Sequence, residues 1–153
     1  MKTVMNYQVF FNRDEIKSKQ LDFDNIKQTV VNVLKEDPSV LYACDMAKAS
    51  TESIPEEVKS RIINGYNRER SGDVVIILKP NFYAHGMKGT DHGAWNSYDT
   101  HIPLVFMGWG IKHGATTKQT FMTDIAPTIA AMLHVQAPNG CVGKSIFGNN
   151  ICQ

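Results

Sequence analysis

The residues Gly89-Thr90-Asp91-His92-Gly93, followed closely by Tyr98-Asp99-Thr100-His101-Ile102-Pro103-Leu104, carry the most chemistry in this chain. A histidine flanked by glycines suits a metal ligand, because glycine lets the backbone turn sharply and bring the imidazole close to an ion. A solvated loop histidine is the alternative. Zinc takes about four ligands, about three of them from protein in catalytic sites, and no spaced ligand set elsewhere in the chain completes one. His92 is therefore the single candidate metal ligand. Asp91 is left without a role, and no catalytic nucleophile or other cofactor-binding residue is assigned.

The other histidines are weaker candidates. His101 lies two residues after Asp99, close enough to orient a ligand by hydrogen bonding or simply to pack. His85 sits in the turn-rich stretch after Pro80, His113 precedes Gly114 in a loop, and His134 ends a helix, where positive charge suits the terminus. Asp45, Glu52 and Glu56 read as a solvated acidic helix start rather than paired acid and base. Gly143-Lys144-Ser145 lacks the first glycine and the strand of a phosphate loop and reads as a chance match. Trp109, between Gly108 and Gly110, reads as a packing plug.

Several motifs together resemble one family. Gly-Thr-x-His-Gly at 89–93, Tyr-Asp-Thr-His-Ile-Pro-Leu at 98–104, Thr123-Asp124-Ile125-Ala126-Pro127-Thr128, Pro138-Asn139-Gly140-Cys141-Val142-Gly143-Lys144 and, upstream, Asn64-Gly65-Tyr66 and Arg70-Ser71-Gly72-Asp73 are similar to the C-terminal portion of bacterial alkaline phosphatases of the phosphodiesterase/nucleotide pyrophosphatase type. The resemblance covers roughly residues 55 to 148. It implies a phosphate-ester hydrolase using two zinc ions and a threonine or serine nucleophile, exported to the periplasm or secreted. In that family the nucleophile, the phosphate-contacting residues and most zinc ligands precede the matched region. The following Tyr-Asp-Thr-His-x-Pro-Leu run aligns His92 with the family's later single-ligand histidine rather than its earlier Asp-His pair. The resemblance thus implies a C-terminal fragment that supplies His92 to one zinc, does not retain zinc by itself and is inactive alone. A stand-alone binding or assembly module descended from such an enzyme, and a hydrolase completed across an oligomer, are the alternatives.

Composition sets bounds. The chain has 153 residues, 42% of them hydrophobic, and 16 basic against 15 acidic residues give a formal charge of +1. This fits one domain with a real core and gives no electrostatic footprint for nucleic acid. No apolar run approaches the ~18 residues of a membrane span, and the N-terminus carries no signal pattern. The expected partners thus include no nucleic acid and no membrane; the resemblance implies a phosphate-ester substrate in the parent enzyme, and core surface left uncovered in a fragment implies other copies of the chain. Of Cys44, Cys141 and Cys152, the last two bracket a short loop and could pair in an oxidising compartment, or stay free.

The elements that must position His92 read as α/β. A strand over Val4 to Phe11 is followed by a helix capped by Asp22 or Asp24, with Ile26, Val30, Val33 and Leu34 on its apolar face and Pro38 as its stop. Val40 to Cys44 reads as a strand. Ser53-Ile54-Pro55-Glu56 reads as a capping box for a helix closed at Gly65. Val74 to Leu78 is a β-branched run typical of a strand covered on both faces. A loop of about 20 residues, 80–100, then carries the metal ligand; without the remaining ligands it is expected to be mobile. Ile102 to Met107 reads as a further buried strand, and Thr123 or Asp124 as the cap of a helix with Ile125, Ile129, Met132 and Leu133 on one face. Strand, helix, strand, helix, strand, then a further strand and helix, predict helices on a mixed sheet, part of a larger alkaline-phosphatase-like sandwich.

Overall fold

The computed structural model describes residues 2–83, 92–93, 95–108 and 110–147. His85, Asp91, Trp109 and Cys152 lie outside the described residues, and with them the proposed Cys141–Cys152 pairing and much of the 80–100 loop. The chain divides into two units, Met1–Ile102 and Pro103–Gln153.

The first unit is built on a four-stranded sheet. Its chain order is β1 (Thr3–Met5), β2 (Gln8–Phe10), α1 (Arg13–Ser18), α2 (Phe23–Glu36), β3 (Val40–Asp45), a 3-10 helix (Met46–Thr51), α3 (Glu56–Gly65), β4 (Val74–Leu78) and α4 (Ser97–Thr100). The spatial order is β1-β2-β4-β3, with every pair antiparallel. Helix and strand mix as expected, but the sheet is antiparallel rather than mixed. The stretch read as one strand is a hairpin. Asn6 and Tyr7 both take left-handed conformations, φ 51° and 57°, the geometry of a two-residue turn whose twist matches its flanking strands. Sequence alternation alone does not announce that turn.

β4 is covered on both faces, as its composition predicts. Val74, Ile76 and Leu78 join the core formed by Val9, Phe11, Val31, Val40 and Ala43, roofed by α2. Val75 and Ile77 face the opposite core, where Cys44, Met46, Val58 and Ile62 pack beneath α3 with Trp95 at its edge. A bulge between Val40 and Tyr42 shifts β3 against β4, so Val40 and Ala43, three apart, reach the same core. α2 begins at the expected cap: the Asp22 carboxylate accepts from Asn25 N at 3.1 Å. Ile26, Val30 and Leu34 of its expected apolar face pack on this core beside the buried Val31, and only Val33 departs, 61% exposed. α3 has Pro55 at its N-cap with no side-chain hydrogen bond, so Ser53 does not form the expected capping box.

In the second unit, a 3-10 turn (Met122–Asp124) leads into α5 (Ile125–Met132). Asp124 stands at the N-cap of α5 without a side-chain bond into that helix; its carboxylate instead closes the 3-10 turn, accepting from Phe121 N at 2.9 Å, and also accepts from Lys144 N at 2.8 Å. The buried residues are Pro127, Thr128 and Ala130, not the expected face, for Ile129 and Leu133 are exposed. Ile102 to Met107 is not a strand. Val105 and Met107 are 81% and 95% exposed, and among the described residues no strand runs beside it. An apolar run becomes a strand only when a neighbour takes its N–H and C=O groups.

Candidate functional site

The Tyr-Asp-Thr-His segment folds as the single turn α4, and each of its residues has a definable task. Asn96 O accepts from Asp99 N at 2.9 Å and Thr100 N at 3.0 Å, closing the turn. Tyr98 OH accepts from Asn81 N at 3.2 Å and Asn96 Nδ2 at 3.1 Å, fastening the end of the β4 segment to α4. His101 donates its backbone N–H to Ser97 O and is exposed, so it ends the helix. The preceding residue, Trp95, is held by α3: Arg61 donates to Trp95 O at 3.2 Å and lies over its ring at 5.9 Å from the centroid.

This turn brings Asp99 to His92. Asp99 Oδ1 lies 2.9 Å from His92 Nδ1, while Oδ2 accepts from Gly93 N at 2.9 Å. The Asp99 side chain is 14% exposed and that of His92 90%. Gly93 adopts φ 131°, a region favouring glycine, and a Cβ there would stand 3.1 Å from the Tyr7 ring. The glycine beside His92 is thus required both by its conformation and by the hairpin turn behind it. Among the described residues no group of three or more His, Cys, Asp or Glu converges as a metal site.

Of the residues singled out from sequence, His92 and Asp99 come together; His101, the alternative orienting residue, does not take that place. Asp45 belongs to a buried ion pair with Lys27 rather than to a solvated acidic cluster. Gly143 and Lys144 serve the turn that Asp124 closes: a Cβ at Gly143 would stand 2.0 Å from Thr123 O. The contact of Asp99 with His92 was missed because it spans seven residues and depends on a turn that hydrophobic periodicity does not register.

No protein-family profile matches the chain. Alkaline phosphatase PafA of Elizabethkingia meningoseptica is 51% identical over 143 residues, covering 93% of this chain and 26% of PafA. Alkaline phosphatase PhoV of Synechococcus elongatus is 49% identical over 144 residues, 94% of this chain and 26% of PhoV. The crystal structure of wild-type PafA superposes with a TM-score of 0.91 at 49% identity, over 95% of this chain and 28% of that one. The chain belongs to the alkaline phosphatase superfamily. Within that superfamily it spans about a quarter of the length of the curated relatives it matches. A calcium-transporting ATPase of Myroides odoratus is also similar, 46% identical over 148 residues and 27% of its length. The helix-and-strand architecture is the PafA fold over this segment.

Proposed function

We propose that this chain is the C-terminal part of a zinc-dependent phosphate-ester hydrolase of the alkaline phosphatase/phosphodiesterase type, to which it contributes His92 as one zinc ligand. It turns over no substrate alone, and the complete enzyme works in the periplasm or outside the cell. The observation that supports this reading is an exposed imidazole on an anchored backbone: the His92 ring projects into solvent while Gly93 N is held from beneath by Asp99. Imidazole nitrogen suits zinc, but one imidazole is a quarter or so of the usual coordination. The remaining ligands then belong to the part of the enzyme beyond this quarter-length segment.

When bound, zinc would supply Lewis-acid stabilisation of the charge on the phosphoryl oxygens, with His92 as the one residue of this chain that would hold it. This chain's share is to present a ligand: α4 fixes Asp99, the Tyr7 ring backs Gly93, and the Tyr98 hydroxyl ties α4 to Asn81. Purified chain supplied with zinc and either p-nitrophenyl phosphate or bis-p-nitrophenyl phosphate should behave as buffer does. Zinc-dependent turnover that vanishes in His92→Ala would overturn the fragment reading.

A further inference from the structure

We infer that Asp99 is a positioning residue for His92, holding the imidazole as the Nδ1–H tautomer so that Nε2 is the nitrogen offered to a metal; this rests on His92 being a ligand. An ionised carboxylate only accepts hydrogen bonds. Asp99 receives two at once, from His92 Nδ1 and from Gly93 N, each at 2.9 Å. The proton between Asp99 Oδ1 and His92 must therefore reside on Nδ1, and in a neutral imidazole the lone pair then lies on Nε2. An unrestrained imidazole in water favours the opposite tautomer, so this preference is imposed by the fold.

The same carboxylate fixes direction. Its two oxygens grip adjacent residues, one by the ring and one by the backbone, so the ring cannot swing without breaking a charge-assisted hydrogen bond. The His92 side chain is 90% exposed, whereas the carboxylate that meets it is 14% exposed and set in the hydrogen-bonded turn α4. The ordering cost is thus met during folding rather than at metal binding. Asparagine at position 99 offers one oxygen to two donors and cannot satisfy both.

Long-range 15N–1H spectra of the metal-free chain, recorded above the imidazole titration range, test this directly. His92 should appear as the Nδ1–H form in the wild type and revert to mainly Nε2–H in Asp99→Ala, with a mixture in Asp99→Asn. Unchanged amide signals from Val74 to Leu78 would certify that the variants fold. A wild-type His92 dominated by Nε2–H overturns the inference. In a zinc titration followed on the same signals, His92 should respond in Asp99→Ala only at about 10–100-fold higher zinc than in the wild type. Equal response in both discards Asp99's role while leaving His92 a ligand. Zinc shifting the other histidines and not His92 discards the ligand reading, while the tautomer comparison still decides what Asp99 does.

Discussion

Lys27 occupies a place where lysine is seldom found, 8% exposed on the buried face of α2. Its Nζ meets Asp45 Oδ2 at 2.5 Å and Asp24 Oδ1 at 2.9 Å, and lies 4.9 Å from the centroid of the Phe23 ring. Burial is the largest influence on its pKa and opposes the charge, yet the hydrogen bonds to Asp45 and Asp24 hold it above the ordinary lysine value. Asp45 is itself buried and also caps the following 3-10 helix through Ala47 N. Lys27→Ala strands that carboxylate, and should lower the unfolding free energy by about 3 kcal/mol in urea titrations, the lower end for a broken buried pair because Asp24 is exposed. A loss below about 1 kcal/mol would mean that Asp45 relaxes to water. The apolar periodicity of α2 could not reveal this pair, because the partner lies 18 residues away in β3. Asp99 was hidden for the same reason, while His92 was legible from its glycines and the motif around it.

The Cys44 thiol adds a second test at this scale. Its pKa is pushed up to about 11, first by burial and then by the nearby Glu52 and Asp45 carboxylates. Because the folded value lies above the ordinary 9.0, folding favours the protonated thiol. That contribution is complete below pH 9 and is lost as pH rises toward 11. Thiol-reactive dye at pH 8 should therefore label Cys44 only at the rate of unfolding. Prompt labelling of Cys44 in native buffer would contradict its place in the core beneath α3.

Among the elements, legibility followed how far a signal is local. α2, β3 and β4 were readable because a cap, a proline stop and a β-branched run act within a few residues. The hairpin at Asn6-Tyr7 was not, since tyrosine at positive φ is chosen by pairing of the flanking strands. For α5 the sequence placed Asp124 at the helix start but not the task of its carboxylate, which depends on Gly143 and Lys144 returning from about twenty residues downstream. Two backbone donors, Lys144 N–H foremost and then Phe121 N–H, hold the Asp124 carboxyl below its ordinary range. A depressed carboxyl supports the fold above its unfolded pKa and ceases to as pH falls through the folded one. The Lys144 and Phe121 amide shifts should accordingly collapse toward random-coil positions only below about pH 4, the ordinary carboxyl range. Gly143→Ala, whose Cβ meets the Thr123 carbonyl, should loosen the same turn at neutral pH and cost about 1–3 kcal/mol, as overpacking does. Unperturbed Phe121 and Lys144 amides in that variant would show that the loop slides away without harm.

For the whole molecule, the decisive contrast lies between a first unit whose central strand is covered on both faces and a second that leaves many of its apolar residues facing water. Val74 to Leu78 finds its cover within the chain, so self-association is not needed there. Residues 103–147 differ: Val105, Met107, Phe121, Met122, Leu133, Val135 and Val142 are each more than half exposed. Apolar surface of that kind on a segment a quarter the length of its relatives is the composition of an interface, since monomers seldom leave patches beyond a few hundred Å² uncovered. With a net charge of only +1, long-range repulsion does little to keep copies apart. The isolated chain should therefore self-associate, most simply as a two-fold dimer in which the same patch meets itself. Multi-angle light scattering across a dilution series should give a mass that rises from one chain toward two. Replacing Val105 and Met107 with serine should return it to one without lowering the unfolding midpoint, because neither side chain is buried in the fold. A clean monomer at high micromolar concentration would refute this, and would mean that water tolerates the surface without a partner.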